Sequence, residues 1–251
     1  MDKVLALRSR FLELTDVFAD VCASAGVRWW LWGGSCLGAL RHGGFIPWDD
    51  DLDVCVMADD IPKLTAAQWP GTVTFAMSFS CTMFCLHMEG TYMHNTLDPK
   101  WAAELARGKP VGVHIDVFPL FNVPNSRQAA LAFQRFVVDR MNGSFEQVRK
   151  AHKRTGFLST LLMTDDHVPD ICFAGEPRLV AFEDRRCPVP PRAEQVMTCL
   201  YGPDYMTPRR PAGAHGHFVD FDHGWEEYAS GRLRLPERHV PSSPDCDVMF
   251  A

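Results

Sequence analysis

Residues 32–56 read WGGSCLGALRHGGFIPWDDDLDVCV, a glycine-rich turn and an acidic strand separated by one short helix and a loop. In Leu52-Asp53-Val54-Cys55-Val56 the apolar residues Leu52, Val54 and Val56 alternate with Asp51, Asp53 and Cys55. Successive side chains of a strand point to opposite faces, so Asp51 and Asp53 share one face. A solvated turn accounts for Asp49 and Asp50. It does not account for Asp53, whose charge inside an apolar alternation is costly without a partner. Just upstream, Val27–Trp32 is short and rich in aromatic and branched residues, which predicts a buried strand, and Gly33-Gly34-Ser35 turns it into a helical stretch from Cys36 to Arg41. A helix opened by glycines presents bare backbone N–H groups and the positive end of its dipole, and the Ser35 hydroxyl adds a donor.

Apolar residues from Val4 to Cys22 recur at helical spacing, and Gly26 supplies a stop. Beyond the acidic strand, Asp59 or Asp60 can cap a helix with Pro62 in its first turn, and strands are predicted at 73–79 and 83–88. Val111–Phe118 is a further apolar strand that carries Asp116 and is closed by Pro119. Helices are predicted from Ser126 to about Met141, from Phe145 to about Leu162, and from Arg192 to Tyr201, the last ended by Gly202-Pro203. The expected fold is α/β (α+β): a mixed β-sheet with flanking helices and a helical C-terminal part. Residues 1–125 form the core, 126–230 the helical part of the same domain, and 231–251, rich in Pro and charge, a flexible tail.

With 251 residues and 47% apolar content the chain can bury a substantial core. A net charge of −6, a pI near 5.9 and the lack of a Lys/Arg run argue against nucleic acid as a partner. No stretch approaches the roughly 18 apolar residues of a membrane span, and the charged first eighteen residues do not read as a signal peptide. Nine cysteines without a compact framework read as small core residues or free thiols in a reducing compartment, so a cytoplasmic location is expected.

The chemistry lies in combination. Two carboxylates at i and i+2 of one strand, joined by a third from a neighbouring strand, can hold Mg2+ (or Mn2+) by oxygen ligands, and such ions clamp phosphates. Asp116 in its apolar strand is the candidate third acid, although a buried arginine partner would explain it equally well. Other metal readings fare worse. A calcium loop over Asp49, Asp51, Asp53 and Asp60 puts Val54 where a glycine is needed and ends on Asp instead of a bidentate Glu. Cys81, Cys85, His87 and His94 lack zinc-knuckle spacing, and His215 and His217 fall in a Gly/Pro-rich stretch expected to be an exposed or substrate-side loop.

The run from Trp32 to Val56 resembles the hallmark of the LicD family, which includes bacterial phosphocholine transferases, fukutin and fukutin-related protein. VGVHIDVFPLFNVP (Val111–Pro124) is similar to the family's Ile-Asp-x-Phe-Pro block, and CPVPPRAEQVMTCLYGPDYMTP (Cys187–Pro208) resembles its late Pro-to-Tyr-Gly block, so the likeness spans roughly residues 10–217. It implies a nucleotidyltransferase-like fold and a glycoconjugate- or lipopolysaccharide-modifying transferase. The donor would be a CDP-activated alcohol such as CDP-choline or CDP-ribitol, and the acceptor a hydroxyl of a glycan or glycolipid. It also implies that Asp51 and Asp53 bind the metal, with Asp49 as an additional ligand, and that Asp116 shares a metal or takes the proton of the incoming hydroxyl. Gly33, Gly34, Ser35, Arg41 and His42 would then contact the donor phosphates, while Phe45 and Trp48 pack the loop.

One position departs from the family. Where members often carry Lys in an apolar strand followed by Thr, this chain has His87, with Thr91 further on. Two other readings use the same residues: a nucleotidyltransferase that moves a nucleoside monophosphate from a triphosphate, releasing pyrophosphate instead of CMP, and an inactive sugar- or nucleotide-binding protein. Retention of all three acids argues against the inactive reading, because like charges repel without a metal between them.

Overall fold

The computed structural model describes residues 3–78, 83–95, 112–124, 145–151, 156–160, 167–209, 217–235 and 248–251, with 126, 128, 129 and 132 as isolated positions. It is an α+β fold, as expected. Among the described residues, six α-helices (α1 Lys3–Ala25, α2 Gly33–His42, α3 Ile61–Ala66, α4 Phe145–Ala151, α5 Ala193–Tyr201 and α6 Trp225–Ala229) accompany three sheets. The main sheet runs in the order β1 (Trp29–Leu31), β2 (Asp53–Met57), β6 (His114–Val123), β4 (Phe84–Met88), β3 (Val73–Met77), and is extended from β6 by β7 (Phe157–Ser159) and β8 (Val168–Pro169). A hairpin, β9 (Arg178–Phe182) with β10 (Arg185–Val189), and a three-stranded sheet, β12 (Met249–Phe250), β11 (His217–Asp220), β5 (Tyr92–Asn95), complete it.

The helical repeat of the N-terminal segment is used to cover the sheet. Leu7, Phe11, Leu14, Phe18 and Cys22 of α1 are all at most 1% exposed and pack on β4 and β6. Burying each large side chain of that stripe stabilises the fold by roughly 1.5–3 kcal/mol. Phe18 meets Trp29 edge-on at 5.7 Å and stacks on Trp69 at 6.2 Å, which stacks on Phe75 at 5.1 Å, so one aromatic row fastens the helix across β1 and β3.

Strands β2 and β6 are adjacent and parallel, with Asp53 in register with Asp116. The neighbouring antiparallel pair sets Cys85 of β4 opposite Asp116 and His87 opposite His114, placing all of these on one face. Strand β6 does not stop at Pro119 as the sequence suggests. The Asp116 N–H donates to Leu52 O of the β2 side at 2.9 Å, so by alternation the Pro119 nitrogen faces the opposite edge. On that edge β4 pairing ends at Val117 and β7 pairing begins at Phe121, so the missing N–H costs no ladder bond.

Two further expectations change. The helix predicted from Phe145 to about Leu162 is described over Phe145–Ala151 and does not extend to Leu162, because Phe157–Ser159 instead pairs with Val123–Phe121, which buries Leu158 and extends the sheet. Gly156, at φ 95°, precedes that strand. The helix predicted over 126–141 lies almost wholly outside the described residues. The end of the expected flexible tail is docked: Val248 is fully buried, β12 runs parallel to β11, and the Ala251 N–H donates to Val219 O at 3.0 Å. Cys22, Cys36, Cys55, Cys172 and Cys187 are buried free thiols with pKa pushed up by burial, as expected of core residues. Among the described residues no helix is long and apolar enough to cross a membrane.

Candidate active site

The site forms where α2 begins. Gly33 has φ 50°, a left-handed conformation that suits glycine, and a Cβ there would lie 2.9 Å from Asp53 Oδ2. A Cβ on Gly34 would lie 2.7 Å from Asp49 Oδ2. The two glycines thus let two carboxylates close on the positive end of a ten-residue helix. Ser35 is 2% exposed, and its Oγ accepts the Asp53 N–H at 2.9 Å. Together with the Trp32 N–H donated to Asp53 O at 3.0 Å, this fixes the start of β2 against α2. Ser35 therefore positions Asp53, a role that the phosphate-donor expectation did not include.

The acidic loop is anchored by Leu52, which is fully buried. Asp49, Asp50 and Asp51 each present a ligand oxygen within 4.8 Å of the others, and this is the metal-capable group among the described residues. It differs from the expected set of Asp49, Asp51, Asp53 and Asp116 by including Asp50. Asp53 and Asp116 face each other across the strand pair, beside this group and not within it.

Asp50 is the main correction. Expected to be a solvated turn residue, it is 4% exposed, with Oδ2 2.8 Å from Nδ1 of His217, itself 6% exposed. His217 lies in β11 and not in an exposed loop, because pairing with β5 and β12 carries it into the core. His215, Cys81 and the His94 side chain fall outside the described residues.

His114, buried, sets its Nδ1 2.8 Å from Gly112 O and its Nε2 3.7 Å from Asp116 Oδ1. A carbonyl only accepts, so Nδ1 carries the proton and Nε2 is a lone pair in the neutral ring. Burial holds the pKa down to about 4, with His217 adding to the effect and the Gly112 carbonyl and Asp51 opposing it. His87 is 2% exposed, and its pKa is likewise lowered to about 4, first by burial. It therefore supplies no positive charge at neutral pH.

Arg41 donates from Nη1 to Tyr205 O at 2.8 Å and lies within electrostatic reach of Asp49 and Tyr201. His42 is exposed, touches Arg41, and is not brought to the acids by any contact described. Phe45 packs between Phe11 and Phe182, at 6.2 and 4.9 Å, as expected of a loop-packing residue. Tyr201, which sequence reasoning gave no role, has its hydroxyl 3.7 Å from the position of a Gly33 Cβ. Its sequence signals are its place at the end of a helix, before Gly202, and within the stretch Cys187–Pro208 that resembles the family's Pro-to-Tyr-Gly block.

A mixed sheet whose adjacent parallel strands carry facing carboxylates, set against a glycine-opened helix and an acidic loop, defines an α+β domain with an acidic, phosphate-compatible site. Residues 26–137 match the family described as LicD/FKTN/FKRP, nucleotidyltransferase domain. This stretch, somewhat under half of the chain, is similar to that family domain. Among curated proteins, it is 29% identical over 126 residues to the lipopolysaccharide cholinephosphotransferase LicD of Haemophilus influenzae, covering 49% of this chain and 47% of that protein. It is 56% identical over 49 residues to the ribitol 5-phosphate transferase FKRP of Homo sapiens, covering 20% of this chain and 10% of FKRP. A shorter likeness, 50% over 41 residues and 16% of this chain against 15% of the relative, joins it to the uncharacterized protein RP689 of Rickettsia prowazekii. The chain thus spans about half the length of the first relative and a tenth of FKRP.

Proposed function

We propose that this chain is a LicD-type transferase that moves a phospho-alcohol group, such as phosphocholine or ribitol phosphate, from a CDP-activated donor to a hydroxyl of a glycan or glycolipid. The observation that carries the reading is the in-register pair Asp53 and Asp116 beside the Gly33-Gly34 helix start, in a chain whose curated relatives are named as transferases of choline phosphate and ribitol 5-phosphate. The catalytic core is assigned to 1–125, with the rest of the chain to about 230 completing the domain. Free thiols at each described cysteine support a reducing, cytoplasmic setting.

The donor set fits Mg2+ or Mn2+. It is made of carboxylate oxygens, the ligand type that hard divalent cations take, and the space beside Gly33 and Gly34 is one that a Cβ would fill. Asp49 and Asp51, which present ligand oxygens within reach of one another, would hold the ion with Asp53 and Asp116 beside them, and when bound it supplies neutralisation of the donor diphosphate. The first N–H groups of α2 face the phosphate, and Arg41 adds a fixed positive charge at the rim. As the acceptor oxygen forms its bond to phosphorus, the bond to the CMP oxygen breaks and the hydroxyl proton passes to the Asp116 carboxylate. The His114 lone pair next to that carboxylate offers no competing proton.

The test is thermal stabilisation of the purified protein by CDP-choline, CDP-ribitol, CDP-glycerol, CTP and ATP, each with and without Mg2+, alongside an Asp51→Asn/Asp53→Asn variant. A Mg2+-dependent shift with one CDP-alcohol that the variant loses supports the reading, since a ligand selective for the native state raises its stability by mass action. A shift with triphosphates alone replaces it with nucleotidyl transfer, and no shift with any ligand replaces it with an inactive domain.

A further inference from the structure

We propose that Tyr201 is a substrate-contacting residue of this site, its hydroxyl donating a hydrogen bond to a phosphoryl oxygen of the donor held at the start of α2. The proposal rests on the reading that the site takes a phosphate-bearing nucleotide.

Helix α5 is fixed on its inner side by Ala193, Val196 and Met197, all fully buried, and packs against α2. It stops immediately after Tyr201: Gly202 takes φ 86° and its N–H donates to Thr198 O at 3.0 Å. The last side chain of the helix is thereby delivered to the mouth of the acid site. Its hydroxyl lies 3.7 Å from the Cβ position of Gly33, the same point that Asp53 Oδ2 approaches to 2.9 Å. A donor and a carboxylate thus converge on the first turn of a ten-residue helix.

Tyr201 is 45% exposed, unlike the aromatic residues that serve packing, such as Phe18 and Trp30 at 0%. Its hydroxyl makes no hydrogen bond with the described residues, so the donor remains available for a ligand. Burial of the hydroxyl end, with the negative charge of Asp53, Asp49 and Asp51 around it, pushes the phenol well above its ordinary pKa. It therefore keeps its proton across the neutral range. A neutral phenol at this place can only strengthen an incoming anion's hold, and the nearby Arg41 guanidinium works in the same direction. Phosphate oxygens are the acceptors that satisfy both groups while their charge is balanced on the carboxylate side by a cation.

The experiment is titration calorimetry of the full chain with CDP in the presence of Mg2+, on the unmodified protein, Tyr201→Phe and Asp51→Asn/Asp53→Asn, with the melting temperature of each ligand-free protein. Loss of one hydrogen bond to a charged oxygen predicts a Kd for Tyr201→Phe weaker by roughly tenfold or more, with the melting temperature unchanged because the ring is kept. Rescue by Phe to the unmodified Kd, while the double Asn variant loses binding, overturns the role of Tyr201 and leaves the donor-site reading standing. Failure of the unmodified protein to bind CDP with Mg2+ overturns both. A lowered melting temperature with unchanged Kd makes Tyr201 a packing residue and overturns the proposal.

Discussion

At the scale of single residues, His87 turns the departure from the family pattern into a measurable property. Its side chain is 2% exposed, its Nε2 has no hydrogen-bond partner among the described residues, and burial lowers its pKa from 6.5 to about 4. Below pH 6.5 the unfolded chain takes up a proton that the folded chain refuses until about pH 4, so the unfolded state binds more protons in that window. Stability is fully present above pH 6.5 and falls as the pH drops towards 4, by up to about 3 kcal/mol from this group alone. His87→Met should flatten the urea-midpoint profile between those values. An unchanged slope would assign the acid sensitivity to other groups. Gly34 makes the complementary case on the site side. A Cβ there meets Asp49 Oδ2, the far end of a side chain that can rotate away. Gly34→Ala should therefore cost under about 1 kcal/mol of stability, since helical positions favour Ala over Gly, while it moves Asp49 and weakens Mg2+-dependent ligand stabilisation.

At the scale of elements, the acidic loop is held by a strand from a different sheet. His217 of β11 and Asp50 are 167 residues apart in sequence and 2.8 Å apart in space. His217→Ala would leave a buried carboxylate without this partner, at a cost of about 1–3 kcal/mol. His217→Gln keeps a donor and should recover part of that loss. Since Asp50 is flanked by Asp49 and Asp51, the Ala variant should also need more Mg2+ for half-maximal ligand stabilisation. If the two variants melted alike, the contact would not be holding the loop. This pair also shows what the sequence could and could not reveal. Asp53 and Asp116 are legible because strand alternation is local and each acid interrupts an apolar run. Asp50, His217 and Tyr201 are not, because their surroundings are set by contacts between distant segments and nothing in DDD distinguishes a buried middle carboxylate from two half-buried neighbours. Strand β7 was hidden for a related reason: FLS suits helix or strand equally, and the open edge of β6 beyond Val117 decides it.

At the scale of the whole molecule, the two ends of the chain meet on the sheet that carries His217. Val248 is fully buried, Met249 is 8% exposed and packs with Tyr92, Phe218 and Tyr228, and Lys3 of α1 donates to Ala251 O at 2.5 Å. Residues 248–251 therefore do more than trail from the fold: β12 pairs with β11 and completes the edge that fixes the position of His217. Ending the chain after Leu235 exposes that edge and removes, among the described residues, the buried side chains of Val248 and Met249, a loss of roughly 3–6 kcal/mol at about 1.5–3 kcal/mol each, large against the stability of a typical domain. The same truncation loosens β11, and through His217 and Asp50 it should reach the acidic loop. The expected outcome is a lower melting temperature together with a smaller Mg2+-dependent ligand shift than His217→Gln shows. A truncated protein that melts earlier yet binds as the full chain does would mean that β5 alone holds β11 in place and that the chain end serves stability only.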